Sequence, residues 1–156
     1  MRYLVLTLGR SDRGPFAGAV ERYRKRLDVS SGGLELRALK ASRKRGVAER
    51  RRADSATLAE AARGAGGHSV LLDERGRAFT SGGLLRHLTR LEASGLSRVT
   101  LMLGAADGVE PGLRESADDC WALSRLTLPH ELALVVLLEQ LYRLTSASQG
   151  HPYHRA

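Results

Sequence analysis

The stretch RVTLMLGAADG, Arg98 to Gly108, decides the fold. Val99 to Leu103 is an unbroken run of apolar and β-branched residues that stops at a glycine. That is the pattern of a buried strand feeding a tight turn. Working outward from it, the same alternation repeats in both directions. On its N-terminal side lies SGGLLRHLTRLEASG (Ser81 to Gly95), a predicted helix with Leu84, Leu85, Leu88 and Leu91 on one face. Before that come SVLLD (Ser69 to Asp73), read as a strand, and ERGR, read as the turn after it. AERRRADSATLAEAARG (Ala48 to Gly64) is a helix closed by glycine. LELRAL (Leu34 to Leu39) alternates and predicts a strand. PFAGAVERYRKRL (Pro15 to Leu27) sets Phe16, Val20, Tyr23 and Leu27 at helical spacing, with proline near its start. YLVLTLG (Tyr3 to Gly9) is another apolar strand stopped by glycine. On the C-terminal side, Pro111 opens a short helix and CWALS (Cys120 to Ser124) is a strand. PHELALVVLLEQLYRLTS (Pro129 to Ser146) is the longest helix, again with proline at its opening.

Strands alternating with helices specify an α/β fold, a mostly parallel sheet covered by helices on both faces. At 156 residues the chain is most economically a single domain with a full core, spanning 1–156. In such sheets ligands sit beyond the carboxyl ends of the strands. Three loops therefore matter: those after Asp73, after Leu103 and after Ser124.

Composition narrows the function. Lys+Arg 25 against Asp+Glu 17 gives a net charge of +8, which favours a polyanionic partner, most often nucleic acid. Nearly all of that charge is arginine, a bias that codon usage in a GC-rich genome also produces. The densest basic stretch, KASRKRGVAERRR (Lys40 to Arg52), reads either as a phosphate-contacting arm or as a loop and a solvated helix face. No apolar run approaches the roughly 20 residues of a membrane helix, and no secretory signal is legible at the N-terminus. Cys120 stands alone, so no intrachain disulfide forms; a cytoplasmic setting is expected.

Of the three loops, GAADG offers Gly104 and Gly108, where backbone amides can approach a ligand closely. It lacks the third glycine and distant acidic residue of a dinucleotide fingerprint, and the Gly-Lys-Ser/Thr of a phosphate loop. A tight β–α turn, with Asp107 capping the next helix, is the plain alternative. LSRLTLPH (Leu123 to His130) is an extended loop whose backbone groups suit an adenine edge; an ordinary strand-to-helix link is the other reading. His130, just inside the helix start, reads as a capping or packing residue. The C-terminus, SASQGHPYHRA (Ser146 to Ala156), carries residue types of a binding or catalytic site. His151 and His154 stand three apart, but without Cys, Asp or Glu beside them they are a poor metal site, and no metal is expected.

WALSRLTLPH, LLEQLYR and the terminal HPYHR together resemble the RlmH family, SPOUT-class methyltransferases acting on N3 of a pseudouridine in 23S ribosomal RNA. The resemblance runs the whole chain, with YLVLTLGR, ERYRKRL, LLDERGRAFTS and the glycine loop in the family's order. It implies a SPOUT-type fold with a C-terminal trefoil knot within about 69–156, a homodimer, and S-adenosyl-L-methionine as methyl donor. It implies cofactor contacts from Leu72, from Gly104, and from Leu123, Ser124, Arg125, Leu126, Thr127 and Leu128. It also places the tail near the methyl-transfer centre, where it helps receive RNA; within the tail, residue chemistry points to His154, Tyr153 and Arg155 as the working residues. N3 carries a proton that must leave, and a histidine titrates near working pH; His154 is the first candidate, with His130 and then Asp107 in reserve. Three positions in two segments depart from the family. Ala105 and Asp107 stand where glycine and glutamate are usual in the loop, and Gly150 stands where asparagine usually precedes HPYH. Rival readings are a SPOUT methyltransferase on another RNA such as tRNA, and a non-catalytic RNA-binding or ribosome-associated protein with the same fold.

Overall fold

The computed structural model describes residues 1–30 and 33–148. Ten elements follow in order: β1 (Arg2–Leu8), α1 (Ala17–Ser30), β2 (Leu34–Leu39), α2 (Val47–Ala65), β3 (His68–Ala78), α3 (Ser81–Ala93), β4 (Arg98–Leu103), α4 (Pro111–Ser116), β5 (Asp119–Ala122) and α5 (His130–Ser148). The five strands form one sheet in the order β2-β1-β4-β3-β5, and every pairing is parallel. The predicted α/β class is therefore the observed one.

The two-residue period of the strands sorts the core into two layers. Tyr3 and Val5, Val70 and Leu72, and Val99, Leu101 and Leu103 point to the face covered by α1, α3 and α5. Leu4, Leu6 and Leu8, with Leu71 and Met102, point to the face covered by α2 and α4. Both faces are dry, which is why these strands read as continuous apolar runs. On α5, Leu134, Leu137, Leu138, Leu141 and Leu144 recur at helical spacing and are 0–1% exposed. Each such leucine stabilises by roughly 1.5–3 kcal/mol relative to an exposed one. Among the described residues no helix is long and apolar enough to cross a membrane.

Several boundaries shift by a few residues, with α2 running past the expected closing Gly64 to Ala65 and capped by Gly66, and two of the differences bear on the site. Asp73 to Gly76 do leave the ladder, as a turn would, but the strand resumes: Leu72 and Arg77 both pair with Trp121, and Ala78 pairs with Ala122. The resumption needs Gly76, since a Cβ there would lie 2.7 Å from the backbone of Cys120 and Trp121. No local signal in ERGR marks a partner strand more than forty positions away. The last strand stops at Ala122 rather than Ser124, because the Ser124 hydroxyl accepts a 2.9 Å hydrogen bond from the Leu126 amide and bends the chain.

Candidate functional site

The carboxyl ends of β3, β4 and β5 open on one side of the sheet, and the segments that follow them converge there. Each is held by its own side chains. In the first, Asp73 Oδ1 accepts from the Arg75 amide at 2.8 Å, and Asp73 Oδ2 accepts from Arg114 Nη2 at 2.8 Å. Burial of Asp73 pushes its carboxyl upward. The Arg114 guanidinium and the Arg75 amide outweigh that and hold it below the usual aspartate range. Arg114 Nε is buried with no hydrogen-bond partner among the described residues.

The second segment turns back on itself, with Gly108 donating to the Ala105 carbonyl at 3.0 Å. Gly108 has φ 79°, the left-handed conformation that glycine adopts freely. Ala105 does not: among the described residues no non-glycine has positive φ, so a Cβ at 105 causes no backbone strain. Gly104 is needed for space instead, since a Cβ there would meet Val109 Cγ1 at 2.7 Å. Helix α2 clamps this loop from outside. Arg50 Nε donates to Asp107 Oδ2 at 2.7 Å, Arg51 Nε donates to Glu110 Oε1 at 2.6 Å, and the Ser55 hydroxyl accepts from the Glu110 amide at 2.9 Å. The hydrogen bond from Arg50 keeps the Asp107 carboxyl below its ordinary range. Asp107 is thus an ion-pair partner and not the predicted cap; Glu110 occupies the N-cap of α4 and makes no side-chain capping bond.

The third segment, 123–128, is tied to both others. The Thr127 hydroxyl donates to Glu74 Oε2 at 2.9 Å, and His130 Nδ1 donates to the Gly104 carbonyl at 2.7 Å. A carbonyl only accepts, so Nδ1 carries the proton and, in the neutral ring, Nε2 is the acceptor.

Together the segments enclose a cleft of about 460 Å³. Leu72, Gly104, Leu123, Ser124, Leu126, Thr127 and Leu128 line it, as do His130 and Asp107. Of the predicted cofactor-loop residues, Arg125 alone is not among those lining the cleft; it is exposed. Tyr153, His154 and Arg155, with Gly150 and His151, lie outside the described residues. Arg51, Glu74 and Arg114 also line the cleft, and the sequence reading missed them. Arg50 and Arg51 sit inside the basic stretch that reads as a solvated face or phosphate arm, and in fact both face carboxylates. The only available hint was the acidic pair Asp107 and Glu110, three apart, like charges suited to a helix presenting adjacent arginines.

Comparison with known proteins identifies a family. A family profile described as "Predicted SPOUT methyltransferase" matches residues 1–154. The chain is similar to proteins named Ribosomal RNA large subunit methyltransferase H. It is 39% identical to that of Methylobacterium sp. (strain 4-46), covering 99% of this chain and 98% of the relative. It is 37% identical to that of Bradyrhizobium sp. (strain ORS 278), covering 100% and 99%, and 38% identical to that of Rhizobium meliloti (strain 1021), covering 100% of both.

Proposed function

Because the chain belongs to the SPOUT methyltransferase family, we propose that it transfers a methyl group from S-adenosyl-L-methionine to N3 of a pseudouridine in 23S ribosomal RNA. The observation that carries this reading is the convergence of three strand-end segments, from β3, β4 and β5, on one cleft in a chain matched to that family along its length. The cleft suits the cofactor. Its volume falls within the usual range for small-molecule sites, and Leu72, Leu103, Leu123 and Leu128 supply apolar walls for a purine. The Arg114 guanidinium lines the cleft and fixes the Asp73 side of its wall. Glu74, whose carboxylate accepts from the Thr127 hydroxyl, places one carboxylate on the cleft wall, where a sulfonium has to be accommodated.

The cofactor supplies the methyl group on a positively charged sulfur. The chain's part is to orient and to handle the proton. The hydrogen bond between His130 and Gly104 fixes the imidazole against the glycine loop and leaves Nε2 able to accept a proton. His154 is our first choice for the N3 proton, with Tyr153 and Arg155 positioning the RNA by stacking and by phosphate contact. His130 stands in reserve. Asp107 is a weaker candidate, because its carboxylate is engaged by Arg50. The reading carries with it a homodimer, the knotted C-terminal half and a cytoplasmic setting. The crossing from β4 over β3 to β5, and the return of α5 to the glycine loop through His130, support such a path.

Mass mapping of 23S ribosomal RNA from cells with and without the gene tests the proposal. A single methyl group, lost from one pseudouridine on deletion and restored by the purified protein with S-adenosyl-L-methionine, is the expected result. Methylation appearing on tRNA instead would assign a different RNA, and cofactor binding without methyl transfer to any RNA would make the protein a non-catalytic binder.

A further inference from the structure

At the end of the sheet opposite the cleft, three side chains from three elements meet. His68 opens β3, Asp119 opens β5, and His87 lies in the middle of α3. His68 Nε2 is 3.0 Å and His87 Nε2 2.7 Å from the same oxygen, Asp119 Oδ2. Their potential ligand atoms lie within 4.8 Å of one another. The side chains are 15%, 13% and 24% exposed, so the cluster is largely dry yet reachable from solvent.

We propose that His68, His87 and Asp119 bind one divalent transition-metal ion of the zinc class. Two imidazole nitrogens and one carboxylate oxygen are a donor set that such ions accept, whereas calcium and magnesium prefer oxygen throughout. Tetrahedral bonds of about 2.0–2.1 Å set neighbouring donors roughly 3.3 Å apart, so the two measured edges need open by only about 0.3–0.6 Å. A water completes the fourth position. The proton balance is simple. Without metal, each imidazole donates its Nε2 proton to Asp119; on binding, each neutral ring moves that proton to Nδ1 through solvent and presents the Nε2 lone pair.

The surroundings favour a fixed site. His68 and Asp119 are anchored in neighbouring paired strands. The ring of His87 is held between Phe79 and Trp121, at centroid distances of 5.3 and 5.8 Å. The adjacent carboxylate, Asp118, is already occupied by the amide and hydroxyl of Ser69 at 2.8 and 2.7 Å. That leaves Asp119 to face the imidazoles. Leu72 lies four residues along β3 from His68, about 13 Å at the rise of a strand, so this ion would touch no reacting group. Its effect would be to pin β5, a four-residue edge strand, to α3 and so steady the 123–128 segment that β5 leads into.

The test is calorimetric titration of the full-length, chelator-treated protein with zinc chloride near pH 7.5, repeated with cobalt(II) for its visible tetrahedral absorption. Wild type should bind one zinc per chain with micromolar or tighter affinity and give the cobalt bands. His68→Gln and His87→Gln should each weaken binding at least tenfold, with circular dichroism confirming the fold. A His151→Gln/His154→Gln variant should bind like wild type. If the core variants do not fold, imidazole nitrogen resonances of that tail variant decide: zinc should shift two of its three remaining histidines. The proposal fails if wild type shows no zinc binding at 100-fold over the expected dissociation constant (~100 μM). It fails equally if binding survives His87→Gln, or if it vanishes with the tail histidines.

Discussion

Replacing Gly76 by alanine should break the sheet where it borders the cleft. The new Cβ would lie 2.7 Å from the carbonyl carbon and oxygen of Cys120 and from the carbonyl carbon of Trp121. All three are backbone atoms of a paired strand, so no side chain can rotate away. Ordinary contact begins near 3.4 Å, so β3 and β5 must part by about 0.7 Å, more than a packed interior yields without cost. A ladder hydrogen bond of about 2.9 Å stretched by that much is no longer one. Arg77 and Ala78, the two residues that resume the strand against Trp121 and Ala122, would lose their pairing. Two lost bonds at about 1 kcal/mol each, plus overpacking of about 1–3 kcal/mol, give a loss of roughly 3–5 kcal/mol. The control is the same chemical change at Gly64, inside α2 and with nothing within 4 Å of its Cβ position. There alanine should stabilise by about 0.5–1 kcal/mol through helix propensity. Urea unfolding at fixed protein concentration reads both. With a slope of about 1.5 kcal/mol/M the midpoints should move down by about 2–3 M and up by about 0.3–0.7 M. Binding of S-adenosyl-L-methionine should weaken in the first variant and stay unchanged in the second. A Gly76→Ala protein as stable as wild type, or both variants moving in the same direction, would refute the close-approach argument.

Arg114→Met should destabilise by about 1–2 kcal/mol at neutral pH, the cost of leaving the largely buried Asp73 carboxylate unpaired, discounted for partial exposure. Because the folded carboxyl of Asp73 sits below its ordinary value, the pair's contribution is present above about pH 3.9 and is lost as pH falls through the lowered folded value. Wild-type and variant melting curves should therefore converge in acid; a gap that is constant down to pH 2 would show that packing, not charge, is responsible. Gly104→Ala should weaken S-adenosyl-L-methionine binding by calorimetry and destabilise by about 1–3 kcal/mol, since its Cβ meets Val109 Cγ1 at 2.7 Å and a β-branched side chain does not turn away freely; unchanged affinity would move the cofactor elsewhere. His154→Ala should lower the single-turnover methylation rate about 100-fold or more and remove the low-pH limb of the rate profile, with cofactor affinity unchanged. If His130→Gln has that phenotype instead, the imidazole bonded to Gly104 is the group that handles the proton.

The layers of the fold are legible because burial leaves a period in the sequence. β4 occupies the predicted Arg98 to Leu103, β2 the predicted Leu34 to Leu39, and each helix falls within a few residues of its predicted segment. The cleft was legible in outline for a topological reason: parallel strands all end on one side, so the segments after β3, β4 and β5 had to be neighbours there. What could not be read was the pairing between them. Arg50 meets Asp107 across 57 positions and Arg114 meets Asp73 across 41. A guanidinium looks the same in sequence whether it faces a phosphate or a carboxylate. His68 and His87 were invisible for the same reason. Each stands alone in its own segment, and only the β3–β5 register and the placement of α3 bring them onto Asp119.

The strand order also sets a timetable for synthesis. β1 finds its first neighbour quickly, since β2 follows after a single helix. Its second neighbour is β4, which the ribosome makes about 60 residues after completing β2, a wait of several seconds at ordinary elongation rates. Throughout that wait one edge of Arg2–Leu8, six of whose seven residues are buried in the finished protein, has no partner strand. An apolar edge of this kind is a template for adding foreign strands. The nascent chain is therefore most exposed to misassembly while α2 and β3 are emerging, and a chaperone that shields its first residues during that interval would raise the yield of folded protein without touching the finished structure.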